Sequence, residues 1–300
     1  MSIATLDRSS LQGAEAEGRS PLALAVRRLF RSRTAVAGLG ITVVLVLVGI
    51  LAGALAPHDY AKDMALDALR APPGTPGHPL GTDELGRDTL SRLIYGASLS
   101  LRMGIGATLV AVVIGVALGA VSGYAGGWPD AVLQRITDTF MALPTLLIAI
   151  AVTAVFEDPS ETVLFLVMGL VSWPTVARMV RGQMLSLREN DYALAARSLG
   201  AGGGRILFRH LLPNALGPVI VLATMLVASM ILFEAGLSFL GLGVQPPYPS
   251  WGRLLYEGIK YHDSSPWLCV YPGACILLTV LGLNFFGDGL RDAFDPRMKV

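Results

Sequence analysis

Six separate stretches of this 300-residue chain are apolar and long enough to cross a bilayer, and that repetition limits the fold more than any single motif. A helical crossing takes about 20 consecutive apolar residues. Residues 35–56 supply the first without a single charge. That run exceeds the core of a signal peptide, so it reads as a retained span. The others run over Leu99–Tyr124, Ile136–Phe156, Val163–Val180, Gly217–Leu240 and Trp267–Phe286. Inside a bilayer each segment must satisfy its own backbone hydrogen bonds, which selects helices. The expected fold class is therefore an all-α integral membrane protein with six transmembrane helices. A composition that is 53% hydrophobic and only 15% charged fits no ordinary soluble domain.

Arginine and lysine set the orientation. With both termini inside, sixteen of the 23 basic residues fall on cytoplasmic segments and seven on outer ones, the bias expected of inner loops. The chain then divides into a cytoplasmic tail (1–34), a first transmembrane helix (35–56), an extracytoplasmic loop with an interfacial helix (57–98), a transmembrane core (99–290) and a cytoplasmic tail (291–300). In the outer loop, Thr82 or Asp83 is placed to cap the interfacial helix, whose Leu90, Leu93, Ile94 and Ala97 recur at helical spacing. Pro144 and Pro174 should kink their spans. Gly115, Gly119 and Gly123 lie four apart, a spacing that lets two helix backbones approach closely. Glu234 and Asn284 are polar groups at membrane depth, and each stands open between lining a path and hydrogen bonding within the bundle. Cys269 and Cys275 sit about 9 Å apart along one helix, too far to bridge.

One block within the core, residues 181–213, is too charged for the bilayer and must lie in water. Its first half reads as a helix stopped at Gly200, and a second short helix runs from Arg205 to Pro213. No enzyme motif accompanies it. Lys62, Lys260 and Lys299 are not followed by the Ser or Thr of a phosphate-binding loop, and no zinc-protease or nucleophile-elbow pattern occurs. No catalytic, cofactor-binding or metal-binding residue is expected.

The same block carries a family resemblance. Ala195-Ala196, then Gly200 and Leu212-Pro213, resemble the cytoplasmic signature of ATP-binding-cassette (ABC) importer permeases, with Leu194 and His210 departing from its Glu and Ile. The strings over 81–93 and 287–297 are similar to those of C-type permeases for dipeptides and oligopeptides. The resemblance implies the type I ABC importer permease fold in a bacterial inner membrane. It also implies a B-type permease as heterodimeric partner, two ABC ATPase subunits that bind ATP and Mg outside this chain, and an extracytoplasmic solute-binding protein. No nucleic-acid partner is implied. Coupling to the ATPase would fall to Asp191, Tyr192, Ala195, Ala196, Arg197, Ser198, Leu199 and Gly200. Tyr192 and Leu199 would be the apolar anchors, the two alanines would allow close approach, and Gly200 would permit the turn. The solute would be a dipeptide or oligopeptide, with nickel chelates or glutathione-like molecules as alternatives. Outside the family the rivals are an ion-coupled carrier and a membrane scaffold.

Overall fold

The computed structural model describes residues 21–156 and 159–294, and these are helical apart from turns and three isolated bridges in the loop after the first span. The expectations for residues 1–20, 157–158 and 295–300 lie outside the described residues. In chain order the helices are α1 (Pro21–Arg31), α2 (Arg33–Ile50), α3 (Ala52–Leu55), α4 (Thr89–Ala125), α5 (Gly127–Ala142), α6 (Thr145–Thr153), α7 (Glu161–Leu187), α8 (Asp191–Ser198), α9 (Gly203–Ile206), α10 (Leu212–Phe239), α11 (Trp251–Ile259) and α12 (Trp267–Phe294). Five helical stretches are long and apolar enough to cross a membrane, and the bent pair α5–α6 makes a sixth crossing if counted as one span.

The expected interfacial helix is not a separate element. Asp88 caps α4, its Oδ2 accepting from Ser91 N at 2.7 Å, and the helix runs unbroken for 37 residues. The face read as lying on the membrane, Leu93 and Ala97, is covered by Trp251 and Leu254 of α11. Gly96 lies beneath the Trp251 ring, whose Nε1 donates to Leu93 O at 3.1 Å, and Trp251 N donates to Ser100 Oγ at 3.0 Å. A protein partner replaced the presumed lipid surface. α11 itself went unforeseen, although Ser250 followed by Trp251, Leu254 and Gly258 carries both a cap and a helical period; Ser250 Oγ accepts from Arg253 N at 3.0 Å.

Proline acts differently in different helices. At Pro144 the span breaks outright, with α5 and α6 meeting at 83°. Leu143 before it is driven to extended backbone, as the proline ring requires. Pro174 sits inside α7 without ending it. Pro213 does not separate two helices either. The backbone widens into a π-helical turn over Leu207–Leu211, and the proline falls in the first turn of α10, where its missing N–H matters least. The block's second helix is thus the start of the fifth span.

The core is the contact of α4 with α7. A side chain at Gly115 would meet Val176 Cβ at 2.5 Å, and one at Gly123 would meet Met184 Cβ at 2.6 Å and Arg181 O at 2.7 Å, so the glycine stripe seats α7 directly on α4. Met103, Ala107, Ala111, Met168, Val176, Val180 and Met184 fill that seam and are fully buried.

Candidate functional site

The helix expected to project is held by one face and bare on the other. Ala193 is buried and Ala196 half-buried, both in the cluster that includes Ile206, Leu207 and Leu211. Asp191, Tyr192, Leu194, Ala195, Arg197, Ser198, Leu199 and Gly200 are exposed, Leu199 at 88% and Leu194 at 46%. The end of α8 is closed by two bonds: Gly200 N donates to Arg197 O and Ala201 N donates to Ala196 O, both at 3.0 Å. This pairing needs a left-handed residue at its corner, and Gly200 supplies it at φ +80°. Sequence reasoning grouped Ala196 with the contact surface, but helical spacing puts it with Ala193 on the bundle side. Leu194, the departure from the family Glu, faces out.

The base of this segment is fixed by an ion pair and hydrogen bonds that the sequence did not reveal. Arg181 near the end of α7 donates from Nε and Nη2 to the two carboxylate oxygens of Asp130 on α5, at 2.6 and 2.7 Å. The Ser122 hydroxyl donates to Asp130 Oδ1, and Gln134 Nε2 donates to Ser122 Oγ at 3.1 Å. Arg188 Nη1 donates to Gly123 O at 3.1 Å. Bidentate guanidinium–carboxylate pairing fixes orientation as well as distance. The corner between α4 and α5 is thereby tied to the end of α7, and α8 follows α7 after a three-residue turn. Gly203 completes the contact by lying under Tyr124, where a side chain would meet the phenol oxygen at 3.0 Å.

Above this base the break at Pro144 borders an open cavity of about 530 Å³ between α6, α7 and α10. Thr145, Ser172, Thr175 and Ser229 contribute hydroxyls to it, and Met230 and Phe233 contribute apolar surface; no ionisable side chain lines it. Glu234 is not among the lining residues. It is 1% exposed, and its Oε1 accepts from Ser238 Oγ at 2.6 Å and from Ser250 Oγ at 2.7 Å, joining α10 to the start of α11. Asn284 lies half-buried on α12, away from the cavity.

Residues 115–300 match the family described as binding-protein-dependent transport system inner membrane component, and residues 20–73 match the N-terminal transmembrane domain of oligopeptide transport permease C. The chain is 41% identical to a dipeptide transport system permease protein of Alkalihalophilus pseudofirmus, over 93% of this chain and 91% of that one. The chain belongs to the binding-protein-dependent transport permeases. Within them it is a C-type permease of the dipeptide and oligopeptide ABC importer family, and so a multi-pass protein of the bacterial membrane. The permease is also 38% identical to an oligopeptide transport system permease protein of Bacillus subtilis, over 92% and 89% of the two chains. It is 41% identical to a glutathione transport system permease protein of Pectobacterium atrosepticum, over 91% and 90%. The inward-facing methionine ABC transporter MetNI shares its fold, with a TM-score of 0.55 at 20% identity, over 68% of this chain and 97% of that one.

At the opposite end of the permease, the string Gly81-Thr-Asp-Glu-Leu-Gly-Arg-Asp88 builds a buried charge cluster with α11. Arg92, 2% exposed, donates from Nη1 to Asp83 and to Glu257 Oε2, the latter at 2.9 Å. Arg87 Nε donates to Asp83 Oδ2 at 2.7 Å, and Arg253 Nε donates to Glu257 Oε1 at 2.8 Å. Burial alone would raise the Glu257 carboxyl, but Arg92, Arg253 and Arg87 together hold it below its ordinary value. Two carboxylates thus serve three guanidinium groups and lock the loop over 57–88 to α11.

Proposed function

We propose that this permease forms half of the path of a peptide importer and is driven through α8 by ATPase subunits on separate chains. The observation that carries the reading is a short helix seated by Ala193 and Ala196, with Tyr192 and Leu199 exposed along one flank, Leu194 exposed on the other, and no covering element among the described residues. Such a helix suits an apolar groove on a partner. Asp191, Ala195, Arg197 and Ser198 flank those anchors, and Gly200 sets the turn beyond. On this reading the α8 end lies in the cytoplasm and the 57–88 loop faces out, toward the solute-binding protein. The B-type partner permease covers the open side of the cavity.

The cavity supports the solute class. Hydroxyls and apolar surface without a fixed charge accommodate a peptide backbone and tolerate side chains of either sign. Dipeptide, oligopeptide and glutathione permeases are all among the relatives, and these solutes share that backbone chemistry. Ion-coupled transport finds less support, because Glu234 is occupied by two serines outside the cavity.

Leu199→Asp tests the coupling. At 88% exposure its replacement leaves the bundle untouched. Loss of a central anchor should weaken docking by about 2 kcal/mol, roughly thirtyfold, and peptide-stimulated ATP hydrolysis by the reconstituted complex should fall with it. Unchanged stimulation at limiting ATPase subunit would refute the reading, and uptake that survives ATP depletion would point to an ion-coupled carrier.

A further inference from the structure

The loop between α3 and α4 gathers three metal-ligating side chains that the transport reading leaves without a task. His58 opens the loop, His78 lies in its middle, and Asp88 ends it as the cap of α4. One ring nitrogen from each histidine and one carboxylate oxygen of Asp88 lie within 4.8 Å of one another, the single such group among the described residues.

Asp88 is buried and aimed. Its Oδ2 accepts from Ser91 N and Ser91 Oγ, both at 2.7 Å, which leaves Oδ1 facing His78 Nδ1 at 3.0 Å. His58 N donates to the same Ser91 hydroxyl at 3.0 Å, so Ser91 ties both ends of the loop together. The His58 ring then lies 4.9 Å from the His78 ring, tilted by 33°. A hydrogen bond from His78 to Asp88 would account for two of these residues but gives no reason for a second imidazole beside them.

Two imidazoles and a carboxylate form the donor set of zinc and its borderline neighbours, whereas magnesium and calcium take oxygen ligands. At bond lengths of about 2.0–2.1 Å, tetrahedral donors stand roughly 3.4 Å apart. The spacing of His78 and Asp88 is already close to that, and a cation between them would take the place of the shared proton. His58 Nε2 meets Gly77 O at 3.0 Å, and the His58 donor, within 4.8 Å of the other two, would close on them when a metal binds.

We propose that His58, His78 and Asp88 form a zinc-class transition-metal site, with a fourth position open to water, that staples the loop to the start of α4. Placement on the outer face rests on the orientation given above, but metal binding does not, so the two fail separately.

The importer complex, purified without a polyhistidine tag and stripped with chelator, is dialysed against Zn²⁺ alone. Wild type should retain a single equivalent more than His58→Asn or His78→Asn. Co²⁺ in its place should give the visible absorption of a tetrahedral nitrogen–oxygen site, kept by His262→Asn, whose exposed ring lies elsewhere. Should the loop variants fold poorly, wild type still decides through the Co²⁺ spectrum and through Zn²⁺-dependent protection of the loop from proteolysis. A wild-type complex with neither signal, or histidine variants that retain as much zinc as wild type, overturns the proposal.

Discussion

Glu257 shows how much one side chain can hold. It accepts from Arg92 and Arg253 at 2.9 and 2.8 Å and lies 3.4 Å from Arg87; Arg92 and Arg87 are buried and Arg253 half-buried. Glu257→Gln leaves Arg87 and Arg92 with Asp83 as their remaining carboxylate and removes the carboxylate that Arg253 pairs with, and breaking a buried pair from one side costs about 3–5 kcal/mol. Thermal unfolding of the solubilised complex should show the loss at neutral pH. The same side chain sets a pH dependence. Its folded carboxyl titrates below the ordinary 4.5, so the stabilisation is complete above that pH and fades as pH falls through the lower, folded value. The gap between wild type and Glu257→Gln should therefore narrow in acid; a gap that widens would refute the assignment. The motif over 81–93 was visible in the sequence, but its purpose was not, because Arg92 and Glu257 are far apart in the chain and no spacing rule joins them. Gly200 was legible for the opposite reason, since its role is local.

At the scale of elements, the glycine stripe of α4 was readable from spacing alone, and the structure supplies the surface it meets. A side chain at Gly119 would meet Val180 Cβ at 2.9 Å and Ala177 Cα at 3.0 Å. Gly119→Val should part α4 from α7 and cost about 1–3 kcal/mol, while Gly40→Val on α2, with nothing within 4 Å, should leave the melting temperature unchanged. Equal melting of the two variants would contradict tight packing at this seam. Apolar runs located the spans well because bilayer thickness fixes their length. They misjudged the start of α4 and missed α11, since lipid and a covering helix ask for the same apolar face. Of the candidate coupling residues all but Ala196 are exposed, and which side of α8 turns inward depends on its tertiary seat against Ile206 and Leu211.

For the whole molecule, the arginine bias predicts a sidedness that labelling can check. In a Cys269→Ala, Cys275→Ala background, Ser264→Cys should react with an impermeant maleimide on intact spheroplasts. Arg31→Cys, outside the proposed docking surface, should react only after permeabilisation, and the reverse pattern would invert the topology. Both positions are exposed, so reactivity reports side and not burial. α4 has a bearing on how such a protein works. Its 37 residues measure about 55 Å against a hydrocarbon slab of roughly 30 Å. Its first turn is knotted into the Asp83–Arg92–Glu257 cluster, and its far end is wired through Ser122 to Asp130 and Arg181. A beam clamped at both tips cannot swivel at one without answering at the other. A tilt of about 10° around its midpoint would sweep each tip roughly 5 Å in opposite senses, so a push on either clamp is a lever stroke at the other.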